Sequence, residues 1–99
     1  MPKRVLLVTR DLTFRARLRA AAAAAGADVT QDDASCDAAV VEIDTPAWEA
    51  RVRDLTTRGV PVLAFGAHVR PDLLRAARAA GAHAVPNSEL DASVAALLR

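Results

Sequence analysis

Large aromatic rings are nearly missing from this chain: Phe14, Trp48 and Phe65 are all it has, and tyrosine is absent. A core without rings has to come from small and branched aliphatic side chains packed closely, helix against sheet. Cysteine occurs once, as Cys36, which rules out an internal disulfide and agrees with a reducing cytoplasm. A lone thiol of this kind reads as inert rather than nucleophilic. No apolar stretch reaches the roughly 18–20 residues that cross a bilayer, so no membrane partner is expected. Met1-Pro2-Lys3-Arg4 leads directly into a strand-like run, without the apolar segment and cleavage site of a secretory signal. The 99 residues are expected to form one domain, residues 1–99, near the lower size limit for an unaided core.

Chemistry-bearing patterns are equally sparse. Thr9-Arg10-Asp11-Leu12-Thr13 has none of the glycines of a dinucleotide-binding turn. No Ser/His/Asp or Cys/His set has a supporting spacing, and enzyme activity is not expected. A net charge of +1 provides no overall basic footprint for nucleic acid. The charge is unevenly placed, however. Lys3, Arg4, Arg10, Arg15, Arg17 and Arg19 crowd the start, opposed only by Asp11. Asp28, Asp32, Asp33, Asp37, Glu42, Asp44 and Glu49 then follow with no base among them. Such runs fit solvated faces; alternatively they are complementary patches that pair head to tail between copies or steer a charged partner.

What the chain does have is regular alternation of strand-like and helix-like segments, the pattern of a parallel sheet with crossover helices. Arg4–Thr9 reads as a central strand buried on both faces. A helix follows from Leu12 to Ala25, with Phe14, Leu18, Ala21 and Ala25 inward, Arg15 and Arg19 outward, and Gly26 at its end. Ala27–Thr30 and Ala38–Ile43 are the next strands. Thr45 is expected to cap a helix opened by Pro46 and running to about Arg58, with Trp48, Val52 and Leu55 inward. Glu49 and Arg53 form a favourable i,i+4 pair on it. Val60–Phe65 is the fourth strand. Pro71 opens a helix with Leu73, Leu74, Ala77 and Ala80 inward, Arg75 and Arg78 outward, and Gly81 at the stop. Ala84–Val85 is a short strand that Pro86 places at an edge. Asn87 or Ser88 caps a last helix with Leu90, Val94 and Leu97 inward. Gln31–Asp37 is too short and acidic for a normal crossover helix, so one face near the second strand is expected to be thinly covered.

The strand ends carry the most telling residues. Val5-Leu6-Leu7-Val8-Thr9-Arg10-Asp11 and Val40-Val41-Glu42-Ile43-Asp44-Thr45-Pro46 are apolar runs that close in polar residues. In open α/β sheets, ligands and chemistry sit at those ends. Together with Pro61-Val62-Leu63-Ala64-Phe65-Gly66-Ala67 and Ala80-Gly81-Ala82, these stretches resemble the receiver domains of two-component response regulators, CheY-like and flavodoxin-like, over nearly the whole chain. The resemblance implies a single-domain α/β three-layer sandwich with a five-stranded parallel sheet in order 2-1-3-4-5 and a short or missing second helix. In that family the first strand ends in paired acids that hold Mg²⁺, and the third in a phospho-accepting Asp. The fourth ends in a switch Ser or Thr, and the fifth in a Lys. Here Thr9 and Arg10 stand at the acid positions, Glu42 at the acceptor, Gly66 at the switch, and Asn87 or Ser88 at the Lys. The resemblance thus implies a degenerate pseudo-receiver.

Phosphorylation at the usual position, a metal and any other cofactor are not expected on this pattern. Phosphoryl transfer to a carboxylate needs a divalent ion and donors for the product oxygens, and Arg10 would repel that ion. Arg10 and Glu42 are expected to end neighbouring strands. There they would pair as guanidinium and carboxylate, either fixing one conformation or forming an ordinary exposed salt bridge of small energetic worth. Asp11 fits the start of the first helix. Asp44, Glu42 and His68 lack a fixed ligand spacing, and His83 reads as a surface residue.

The leading expectation is a stand-alone, non-catalytic signalling module that binds an unidentified protein, independent of phosphorylation. By resemblance its surface is the last two helices and the strand between them, offering Arg70, Arg75, Arg78, Ser88 and Asp91. A homodimer through that surface, or through the thin cover beside the second strand, is the related possibility. The alternative is a small-ligand or anion-binding protein using the rim of Thr9, Arg10, Asp44, Gly66, His68 and Ser88. Nucleic-acid binding through the basic first helix is the weakest reading.

Overall fold

The computed structural model describes residues 3–43, 45–66 and 71–98. Five parallel strands form one sheet: β1 (Arg4–Val8), β2 (Asp28–Thr30), β3 (Ala38–Glu42), β4 (Val62–Gly66) and β5 (His83–Pro86). Their spatial order is β2-β1-β3-β4-β5, as the resemblance implies. The helices described are α1 (Leu12–Ala24), α2 (Trp48–Thr57), α3 (Pro71–Ala79) and α4 (Leu90–Leu97), with a 3₁₀ turn over Asn87–Glu89.

The alternation of side chains along each strand builds two cores from one sheet. Leu6, Ala39, Val41 and Ala64 face one side, where α2 contributes Val52 and Leu55 and α3 contributes Leu74 and Ala77. Val5, Leu7, Val40, Leu63 and Phe65 face the other, against Leu18 and Ala22 of α1 and Leu90, Val94 and Leu98 of α4. The result is a three-layer sandwich whose β1, β3 and β4 residues are buried almost throughout. Phe14 and Phe65 meet at 5.2 Å between ring centroids, tilted by 58°.

Several local expectations need correction. Ala22, one turn after Leu18, is the buried alanine of α1, whereas Ala25 is the exposed C-cap. Likewise Leu98 continues the i,i+4 row of Leu90 and Val94, and Leu97 is only partly covered. Val60 and Pro61 lie before β4, which runs on to Gly66. Thr45 does not cap α2. Its hydroxyl turns back and donates to the Glu42 carbonyl at 2.8 Å, closing a turn at the end of β3. The helix therefore starts later, at Trp48, behind Ala47 in a left-handed conformation with φ 58° and no side-chain cap. Neither Asn87 nor Ser88 caps α4: both sit in the 3₁₀ turn, and Glu89 is the N-cap position.

No helix connects β2 and β3. The Gln31–Asp37 segment is held instead by polar contacts. Arg4 donates its backbone N–H to Asp37 at 2.8 Å and a guanidinium N–H to the Ser35 hydroxyl at 2.6 Å. At the C-cap of α2, Arg58 donates to the Asp33 carbonyl at 2.8 Å, and from within α2 the Arg51 guanidinium lies 3.7 Å from the Asp33 carboxylate. Cys36 packs against the apolar core on that side.

Gly81 is required twice over. Its φ is +101°, a region side-chain-bearing residues avoid, and an added Cβ would stand 3.1 Å from Thr56. The Thr56 hydroxyl is itself fixed, donating to the Ala80 carbonyl at 2.9 Å.

Candidate functional site

The C-terminal ends of β1 and β3 are paired in register up to Val8 and Val41, which brings the residues that follow, Thr9 and Glu42, side by side. Thr9 is 4% exposed. Its hydroxyl donates to the Glu42 carboxylate at 2.8 Å and accepts the Asp11 N–H at 3.1 Å. The same Glu42 oxygen accepts the Arg10 backbone N–H at 3.3 Å. Glu42 is thus held by two donors from the β1–α1 turn.

The guanidinium of Arg10 takes no part in this. Among the described ion pairs there is none between Arg10 and Glu42, and Arg10 is exposed. The expected guanidinium–carboxylate pair is replaced by a hydroxyl–carboxylate contact. The physical reason is reach: the buried Thr9 already fills the space between the strand ends, and the side chain after it points outward.

Asp11 is committed to the helix. Its carboxylate accepts the N–H groups of Thr13 and Phe14 at 2.8 and 3.1 Å, an N-cap that satisfies two orphan donors of α1. Arg15, expected on the outer face, is half-buried and donates to the Thr9 carbonyl at 2.8 Å. The β1–α1 turn is therefore fastened at Thr9, Asp11 and Arg15 together.

Gly66 ends β4 opposite Pro86, and a Cβ there would meet Ile43 at 3.4 Å, ordinary contact. Nothing in the backbone demands glycine at this position. Asn87 follows β5 with its side-chain oxygen buried and, among the described residues, without a partner, and Ser88 beside it is exposed. Asp44, His68 and Arg70 lie outside the described residues. Among the described residues no three His, Cys, Asp or Glu side chains are grouped as a metal would need.

The expected interaction surface is partly engaged within the chain. Asp91 on α4 pairs with Arg17 on α1 at 2.9 Å, both side chains well exposed. Arg78 donates to the Ala84 carbonyl of β5 at 2.9 Å. Arg75 and Ser88 are exposed.

Beside the Thr9–Glu42 contact, on the face where the β2–β3 helix is lacking, opens a cleft of about 280 Å³. Leu6 and Val8 of β1 belong to its floor, and Thr9, Arg10, Arg15, Gln31, Thr45 and Arg51 surround it. Sequence reasoning missed this grouping, because Arg15 was placed outward and neither Gln31 nor Arg51 belongs to any motif. Its only sequence signal was the short β2–β3 connection.

No protein-family model matches the sequence, and no curated protein matches it. Solved structures do share its fold. NtrX from Brucella abortus, in a complex with ADP, superposes with a TM-score of 0.78 at 13% identity over 99% of this chain and 27% of that one. The chain therefore spans about a quarter of NtrX. The receiver domain of the TMAO respiratory response regulator TorR matches with a TM-score of 0.78 at 22% identity, over 98% of this chain and 97% of that domain. A response regulator receiver domain protein from Clostridium thermocellum matches with a TM-score of 0.73 at 14% identity, covering 97% and 94%. The fold is that of response regulator receiver domains, a flavodoxin-like α/β sandwich. Among the described residues no helix is long and apolar enough to cross a membrane.

Proposed function

We propose that this chain is a non-catalytic, receiver-like regulatory module that acts through protein–protein contacts and is not phosphorylated at the position equivalent to the receiver acceptor. The observation that carries the reading is the state of Glu42. One of its oxygens is occupied by the Thr9 hydroxyl and the Arg10 N–H. The two residues after β1, where the resemblance places Mg²⁺-binding acids, are a threonine and an arginine. Without a divalent ion, nothing bridges the Glu42 carboxylate to an anionic phosphodonor and aligns the two for in-line attack. Glu42 then serves as a permanent tie between β1 and β3, and the module holds one conformation. A cytoplasmic setting fits the unpaired Cys36. Arg75, Ser88 and the neighbouring faces of α3 and α4 are the surface proposed for a partner protein or a second copy.

The test is exposure to a small-molecule phosphodonor such as acetyl phosphate with Mg²⁺, followed by intact-mass measurement. No phosphoryl adduct is expected. An acid-labile adduct that disappears in Glu42→Gln would overturn the reading. Sedimentation over a wide concentration range then separates a self-associating module from one that needs a different partner.

A further inference from the structure

The cleft beside β1 concentrates positive charge in a way the tie at Glu42 does not explain. Three arginines from separate elements line it: Arg10 from the β1–α1 turn, Arg15 from α1 and Arg51 from α2. No acidic residue lines it among the described residues. Among the described residues, the neighbouring counter-charges are already engaged. Glu42 is held by Thr9 and the Arg10 backbone, and Asp33 touches Arg51 from one side only, at 3.7 Å.

Two donors remain unanswered. Among the described residues the Nε of Arg51 is buried without a hydrogen-bond partner. A buried unmade donor on a charged group is costly, and a small side-chain shift that opened it to the cleft would let an acceptor there satisfy it. The Arg10 guanidinium has no partner among the described contacts. Arg15 donates one N–H to the Thr9 carbonyl and keeps the rest of its fork. The hydroxyls of Thr9 and Thr45 already donate within the chain, to Glu42 in both cases. Recognition in the cleft therefore falls to the guanidiniums and the Gln31 amide.

We propose that this cleft binds a phosphate dianion, free or as a small phosphomonoester. Planar guanidinium forks suit tetrahedral oxyanions, and a phosphate offers three or more oxygens to donors arriving from different sides. The volume of about 280 Å³ exceeds what a bare phosphate needs and leaves room for a small organic group over Leu6 and Val8. The site exists because no helix joins β2 to β3: a crossover helix packed there would close the cleft. This inference does not rest on the protein-interaction reading, and either can fail alone.

The experiment is an NMR titration of the full chain with inorganic phosphate, and separately with glycerol phosphate, at constant ionic strength set with chloride. Saturable one-site binding is expected, with the amide signals of Gln31, Thr45 and Arg51 moving. Arg10→Gln and Arg51→Gln should each weaken binding about tenfold or more, the worth of one charge-assisted hydrogen bond. Arg19→Gln, on the exposed face of α1, should leave it unchanged. Tighter binding of the ester would assign the organic group to the cleft, and equal binding would assign free phosphate. Shifts that chloride reproduces, or unchanged affinity in the two arginine variants, would overturn the proposal. Should Arg51→Gln fail to fold, the exposed Arg10 still decides.

Discussion

The hydroxyl of Thr9 donates to the carboxylate of Glu42 across 2.8 Å, joining the C-terminal ends of β1 and β3 through side chains where the strand ladder stops. Thr9 also receives the Asp11 N–H and, at its carbonyl, the Arg15 guanidinium. This one residue therefore couples the carboxylate to the start of α1. Thr9→Val keeps the shape and removes both hydroxyl contacts, leaving the Asp11 N–H without its acceptor. A loss of about 1–3 kcal/mol is expected, read as a lower urea midpoint at unchanged slope. Glu42→Gln retains an acceptor for Thr9 and should cost less. A larger loss in Glu42→Gln than in Thr9→Val would show that charge, rather than the hydrogen bond, holds the strand ends.

Ala47 carries a left-handed backbone, φ 58°, immediately before α2. A side chain there costs roughly 1–2 kcal/mol relative to a residue without Cβ. Ala47→Gly should raise the urea midpoint by about 1 kcal/mol of stability, part of the gain being offset by the greater freedom of the unfolded glycine. Unchanged or lower stability would mean that the turn between Thr45 and Trp48 does not hold this conformation in solution.

Gly81→Ala meets two separate obstacles, the φ of +101° and the 3.1 Å approach to Thr56. A destabilisation of about 2–4 kcal/mol is expected from strain and crowding together. In a Thr56→Ala background the hydroxyl and methyl contacts are lost, while the approach to the remaining Cβ at 3.1 Å and the backbone strain persist, so the crowding is eased only in part. The two substitutions should then be non-additive in urea unfolding, with the double variant more stable than the sum predicts.

Burial pushes the Cys36 thiol above its ordinary pKa, with Arg58 opposing more weakly. The folded state therefore keeps the proton at pH values where the unfolded chain has lost it. With fewer protons bound to the unfolded state, stability falls as pH rises from the ordinary thiol range through the raised folded value. Cys36→Ala should remove that part of the alkaline decline in a pH series of urea midpoints. Alkylation of Cys36 should also run more slowly in the folded protein than in denaturant, because the thiolate is the reactive form.

The sequence was most legible where one physical rule acted alone. The number of strands and helices followed from the alternation of apolar runs with periodic segments, because each must bury its own apolar surface, while the strand order came from the resemblance to receiver domains. The absence of a β2–β3 helix was readable because Gln31–Asp37 has too few residues and too many acids to form one. Boundaries were less legible where two rules competed. Thr45-Pro46 has the form of a helix start, yet the Thr45 hydroxyl finds the Glu42 carbonyl closer at hand, and the helix waits for Trp48.

By itself, then, the chain determined the architecture and the residue types at the strand ends: Thr9, Arg10, Glu42 and Gly66. Only the tertiary structure decided what those side chains do. A strand-end position places a residue on the rim, but its partner depends on the reach and burial of every neighbour. Thr9, not the Arg10 guanidinium, meets Glu42 because Thr9 is the residue buried between the strands. Arg15 and Arg51 line a common cleft on the face where no helix joins β2 to β3. No local pattern encodes such a gathering, since its members are far apart in the chain and come together only when the sheet closes.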